Sequence, residues 1–215
     1  MARLAVFGGS FNPIHFGHLL LADEVLELLG LDRVLFVPAA SPPHKPAAAL
    51  APAPDRFAMV KRATADNPRF EVSDLELTRR GPSYTVDTLE ALATPGDDLF
   101  LILGSETFLD LLSWRAPTRI AALAHLVVVP RAGSAFDPDS AAAQKVLREI
   151  GAEGFARPDP AGGAGRRVWL APVTSLPISS SELRRRVREG RSVDYRLPQP
   201  VIEYIRRRRL YEAGA

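Results

Sequence analysis

Leu4-Ala5-Val6-Phe7-Gly8-Gly9-Ser10-Phe11-Asn12-Pro13-Ile14-His15-Phe16-Gly17-His18 runs from an apolar tetrad through a glycine pair into a helical pattern. Leu4 to Phe7 reads as a short buried strand that ends at Gly8. Apolar residues then recur at helical spacing from Phe16 to Leu29, and Gly30 supplies a C-terminal stop. A strand, a glycine turn and a helix place unpaired N–H groups and the positive end of a helix dipole at one point, and glycines there admit a ligand close to the backbone. The turn therefore predicts an anion site at Gly8, Gly9 and the start of the helix that follows. His15 and His18 are three residues apart, on one face of the first helical turn, and Gly17 between them adds no side chain. The pair could face one ligand, or could simply be polar residues at a helix start. A zinc site would need a third ligand at suitable spacing, and neither His44 nor His125 provides it. The turn also lacks the lysine-bearing phosphate loop and the G-x-G-x-x-G dinucleotide fingerprint.

Outward from this turn the same alternation repeats. Val34 to Val37 reads as strand, Asp55 to Ala65 as helix, Phe70 to Val72 as strand and Tyr84 to Ala93 as helix. Leu99 to Leu103 and Leu126 to Val129 are continuous apolar runs, the mark of parallel strands covered on both faces, and Val168 to Leu170 makes a sixth strand. The expected fold is α/β, a doubly wound, mostly parallel sheet of Rossmann-like type, with ligands at the carboxyl ends of its strands, where Gly8 and Gly104 lie. Pro38 to Pro54 and Gly151 to Arg167 read as long loops. There is no internal repeat or sharp boundary, so residues 1–215 are expected to form one domain. Its C-terminal helical part, from about 178 to 215, begins at a capping box, Ser179-Ser180-Ser181-Glu182, and ends in a helix from Pro198 to Arg208.

Apolar residues make up 47 % of the 215, enough for a sizeable core. The chain has no cysteine, which excludes disulfides and thiolate metal sites and favours a cytoplasmic location. The run Leu4 to Phe7 is too short for an export signal, and no run reaches the roughly 18 to 20 apolar residues of a membrane span. Net charge is only +2, yet arginines cluster at 184–186 and 188 and again at 206–209. Such clusters invite a polyanion-binding reading, against which stands the simpler one of solvated helix faces.

The glycine turn resembles the signature of the HxGH nucleotidyltransferase superfamily, G-G-[ST]-F-[DN]-P-x-H-x-G-H, at every position. Ile178-Ser179-Ser180-Ser181-Glu182-Leu183-Arg184 resembles its late I-S-S-[ST]-x-[IL]-R signature. The resemblance implies that ATP is held by Gly8, Gly9, Ser10, Phe11, His15, Gly17, His18, Gly104, Ile178, Ser179, Ser180 and Arg184. It also implies that His15, His18 and Arg184 act in catalysis. Mg²⁺ is expected as cofactor, carried mainly by ATP phosphates and water, with no protein metal site.

Within the superfamily, nearly the whole chain is similar to the bacterial nicotinate-nucleotide adenylyltransferases. Val37-Pro38 to Pro42-Pro43-His44-Lys45, the stretch from Asp74-Leu75-Glu76-Leu77 through Gly81-Pro82-Ser83-Tyr84-Thr85-Val86-Asp87-Thr88-Leu89, and Trp114 carry the likeness. It implies adenylyl transfer from ATP to nicotinate mononucleotide, with Lys45, Ser83, Tyr84, Thr85, Glu106, Trp114 and Arg131 at the acceptor. Without it, Lys45 reads equally well as a solvated loop residue, and Tyr84 and Trp114 as core aromatics. One departure is Gly104-Ser105-Glu106 where the family usually has G-x-D, which sets the carboxylate one methylene farther out. The expected partners are ATP and nicotinate mononucleotide, not nucleic acid or membrane, and a homo-oligomer is compatible with the sequence. Nicotinate and nicotinamide acceptors differ by a carboxylate against an amide, which residue letters do not separate.

Overall fold

A computed structural model describes residues 2–41, 50–79, 81–130, 133, 135–158 and 166–212. Strands β1 (Arg3–Gly9), β2 (Arg33–Pro38), β3 (Phe70–Val72), β4 (Asp98–Gly104), β5 (His125–Val129), β6 (Phe155–Ala156) and β7 (Val168–Leu170) form one sheet in the order β3-β2-β1-β4-β5-β7-β6. Every neighbouring pair is parallel. The continuous apolar runs follow from burial on both faces. In β4, Phe100 and Ile102 enter one core while Leu99, Leu101 and Leu103 enter the other, and in β5 Val127 and Val129 alternate with Leu126 and Val128 in the same way.

The helices divide accordingly. α1 (Phe16–Leu28), α2 (Ala53–Ala63), α8 (Ser180–Arg188) and α9 (Gln199–Arg208) cover the first face through Val25, Leu26, Met59, Leu183, Val201 and Ile205. α4 (Thr85–Leu92), α5 (Ser105–Leu109), α6 (Pro117–Leu123) and α7 (Ala141–Glu149) cover the second through Leu89, Phe108, Ile120 and Val146. A one-turn helix, α3 (Leu75–Thr78), follows β3. The chain leaves β1 toward one face and β4 toward the other, so the carboxyl ends of these two adjacent strands open a crevice between diverging connections. Gly8 and Gly104 sit there.

Two expectations need correction. The sheet has a seventh strand, β6, inside the stretch read as a loop from Gly151 to Arg167, because two residues are too few to show a period. The loop expected from Pro38 to Pro54 ends slightly early, with Ala53 opening α2. Of that loop, residues 42–49 lie outside the described residues.

Candidate active site

The turn after β1 is held in a conformation that its sequence alone would not adopt cheaply. Phe11 has φ of +43°, a left-handed setting that a bulky residue occupies only when its surroundings enforce it. The Phe11 ring packs edge-on against Phe7 at 5.5 Å and against the His18 imidazole at 5.3 Å. His18 in turn stacks on His15, ring centroids 3.7 Å apart, and its Nδ1 accepts the His15 backbone N–H at 3.3 Å. His15 caps α1 and is buried, whereas His18 is half-buried. Both glycines flanking this cluster are fixed by contact. A Cβ on Gly9 would lie 3.1 Å from the Phe11 ring, and one on Gly17 would lie 3.1 Å from Cε1 and Nδ1 of His15. Among the described residues beyond its chain neighbours, a Cβ on Gly8 would meet nothing within 4 Å and would stand in the crevice itself.

The N-terminus of α8 closes onto the same turn from the far end of the chain. Ser179 caps the helix, its Oγ accepting the Glu182 N–H at 3.3 Å, as the capping signal predicts. Glu182 turns its carboxylate to Arg185 and Arg186. Ser180 Oγ donates to the Pro13 carbonyl at 2.9 Å, and Arg184 Nη1 donates to the Asn12 carbonyl at 2.8 Å. The two signatures, separated by some 165 residues of sequence, thus form one wall.

That wall is part of a cleft of about 810 Å³, the size of a small-molecule site. Gly8, Gly9, Ser10, Phe11, His15, Gly17, His18, Gly104, Ile178, Ser179, Ser180 and Arg184 line one part of it, and Ser83, Tyr84, Thr85 and Trp114 line it as well. Among the described residues no three His, Asp or Glu side chains come together as a metal centre.

The chain matches the family described as cytidylyltransferase-like over residues 6–186. Among its relatives, a protein of Geotalea daltonii named probable nicotinate-nucleotide adenylyltransferase is 44 % identical over 214 residues, covering 99 % of both chains. One of the same name from Desulfatibacillum aliphaticivorans is 40 % identical over 215 residues, covering 97 % of this chain and 99 % of that one. The chain belongs to the nicotinate-nucleotide adenylyltransferase family. The fold agrees. The Plasmodium falciparum nicotinic acid mononucleotide adenylyltransferase complexed with NaAD superposes with a TM-score of 0.75 at 19 % identity over 98 % of each chain.

The second half of the cleft meets the family's features unevenly. Ser83 is buried. Tyr84 caps α4, whose first residue is Thr85, so this helix start faces the cleft. Behind it Thr88 Oγ1 donates to Glu76 at 2.8 Å and accepts from Arg79 at 3.2 Å. Burial raises the Glu76 carboxyl above its ordinary range, against the opposing pull of the Thr88 bond, Arg79 and Ser83. Glu106 is exposed on α5 and does not line the cleft, whereas its neighbour Thr107 does. Lys45 and Arg131 lie outside the described residues.

Arg56 escapes a sequence reading. In an amphipathic helix an arginine signals a solvated face, yet Arg56 is 1 % exposed. It donates from Nη1 to the Ser10 carbonyl, from Nε to that of Ala51 and from Nη2 to that of Ala40, all within 3.0 Å. Desolvation lowers its pKa, and the three carbonyl oxygens take the place of water around the cation. Tyr211 is a second such residue. Its hydroxyl donates to Asn12 Oδ1 at 2.7 Å, while the same oxygen accepts the Ala51 N–H at 3.0 Å. The family's glycine turn is thus pinned at Ser10 by Arg56, at Asn12 by Tyr211 and Arg184, and at Pro13 by Ser180.

Proposed function

We propose that this chain transfers the adenylyl group of ATP to nicotinate mononucleotide, giving nicotinate adenine dinucleotide and pyrophosphate. The observation that carries this reading is the single cleft in which the Gly8 to His18 turn and the α8 cap meet the Ser83 to Thr85 helix start and Trp114. It is supported by full-length relatives that bear the activity in their names.

The chemistry needs little beyond position and charge. The second ionisation of a phosphate monoester lies near pH 6, so the acceptor is mostly a dianion at neutral pH and requires no general base. One of its oxygens attacks the α-phosphorus in line, the bond from that phosphorus to the bridging oxygen breaks, and pyrophosphate leaves with the electron pair. The turn's amides and the α1 N-terminus receive the triphosphate, the His15 and His18 rings offer N–H donors, and Arg184 offers its remaining guanidinium donors to the departing phosphates. Trp114 provides a face on which the pyridine ring stacks. Mg²⁺, a hard ion that prefers phosphate and water oxygens, would be held mainly by the ATP phosphates and water and would supply charge neutralisation for the leaving pyrophosphate. A cytoplasmic location belongs to the same reading.

Pyrophosphate release from ATP and Mg²⁺, measured with nicotinate and with nicotinamide mononucleotide in turn, tests it. Turnover with the acid is expected. Turnover with neither would overturn the reading, and clear preference for the amide would correct the acceptor. His18→Ala should depress turnover far more than stability, and equal losses in both would remove His18 from the chemistry.

A further inference from the structure

The cleft's charges are few. Among the described residues that line it, only Arg184 and Arg115 carry a permanent positive charge, and Glu76 is the one carboxylate. Arg184 is tied to the phosphate turn through the Asn12 carbonyl. Arg115 follows Trp114 directly, and the next residue, Ala116, is held at φ +52°, an unfavourable setting for a residue with a Cβ that turns the chain immediately after the arginine. The Arg115 guanidinium stands 4.9 Å from the Tyr84 ring centroid and only 3.9 Å from Asp87 Oδ2, with 61 % of its side chain exposed. It is therefore steered over Tyr84 by a cation–π contact and one long ion pair, and is not locked away from the cleft. Glu76 is turned to Thr88 Oγ1 at 2.8 Å, not to Arg115.

We infer that Arg115 is a specificity-determining residue that selects an acceptor bearing a carboxylate on its ring over one bearing an amide. This rests on the adenylyltransferase reading. A ring stacked on Trp114 beside Tyr84 brings its substituent near Arg115, the one described cation that lines this part of the cleft, Arg79 being turned to Thr88 and the Asp87 carbonyl behind α4. A carboxylate gains from that cation where a neutral amide does not. The mononucleotide phosphate is common to both acceptors, so it cancels from the comparison.

The test is the ratio of kcat/KM for nicotinate over nicotinamide mononucleotide, with calorimetric binding of each mononucleotide as a second readout. In Arg115→Gln both ratios should fall by about tenfold, and Arg115→Lys should recover most of the loss. Parallel losses for both acceptors would overturn the inference in favour of a phosphate contact or a structural role, and unchanged ratios would overturn it outright. Failure of the adenylyltransferase reading looks different, since the unsubstituted chain would then release pyrophosphate with neither acceptor.

Discussion

Gly17→Ala separates catalysis from folding more sharply than removal of a catalytic side chain. Gly17 lies in the first turn of α1, where alanine is the better helix former by up to about 1 kcal/mol. Its new Cβ, however, would stand 3.1 Å from Cε1 and Nδ1 of His15. Ordinary van der Waals contact lies several tenths of an ångström farther out, so the imidazole must retreat by roughly 0.4 Å. The retreat is not free. His15 is buried and stacked on His18 at 3.7 Å, and His18 is backed by Phe11 at 5.3 Å, so the displacement passes to both rings. A misplacement of about 1 Å costs roughly 100-fold in rate, and a shift of this size should cost on the order of tenfold in kcat. The helix gain and the overpacking penalty oppose each other, leaving stability within about 1 kcal/mol of the parent. Initial rates of pyrophosphate release and urea unfolding of the same preparation make the comparison. Unchanged kcat with unchanged stability would show that the reaction does not depend on the position of the two rings, and the reasoning would fail.

Other substitutions probe neighbouring parts of the account. Gly8→Ala strains no protein contact, because its Cβ points into the open crevice; it should raise KM for ATP several-fold at unchanged urea midpoint, and a loss of stability instead would mean that Gly8 serves the fold. Tyr211→Phe deletes the hydroxyl that braces Asn12 and should cost about 1 kcal/mol of stability together with a few-fold loss of kcat. In an Asn12→Ala background the same change should add almost nothing, and additive losses would contradict positioning through Asn12. His125 reports on the opposite end of the sheet. It is buried against Phe100, its Nδ1 accepts the Arg167 N–H, and burial together with the charge of Arg166 lowers its pKa from 6.5 to about 4 despite Asp98 nearby. The fold therefore favours the neutral ring. Its contribution is fully present above about pH 6.5 and is lost as pH falls toward 4, by up to roughly 3 kcal/mol. Unfolding midpoints of His125→Asn should fall less steeply between pH 6.5 and 4.5 than those of the parent, and equal slopes would assign the acid sensitivity elsewhere.

The parts legible in the sequence are those whose physics is local. Leu99 to Leu103 declares a strand buried on both faces because each residue must be apolar, and Ser179 declares a helix start because its hydroxyl serves an amide three residues on. The Gly8 to His18 turn was legible because close backbone approach restricts which residues fit. Arg56 was not, since its partners Ser10, Ala40 and Ala51 contribute only backbone carbonyls, which carry no residue signature. Nor was Tyr211, whose partner lies 199 residues away. Arg115 carries no signature in the sequence for a related reason. Its placement over Tyr84 depends on how α4 and the segment after α5 converge on the cleft. The extra methylene of Glu106 is conspicuous in the sequence, but the side chain stands outside the cleft wall.

In the proposed reaction the wall built from the β1 turn and the α8 cap holds the ATP α-phosphorus for one direct attack by the acceptor phosphate. The most direct test is the stereochemistry of transfer, with ATP carrying a single sulfur of known configuration at the α-phosphorus and nicotinate mononucleotide as acceptor. A single in-line displacement predicts a dinucleotide inverted at that phosphorus. Retention would require two displacements through a covalent adenylyl-enzyme and would contradict the account.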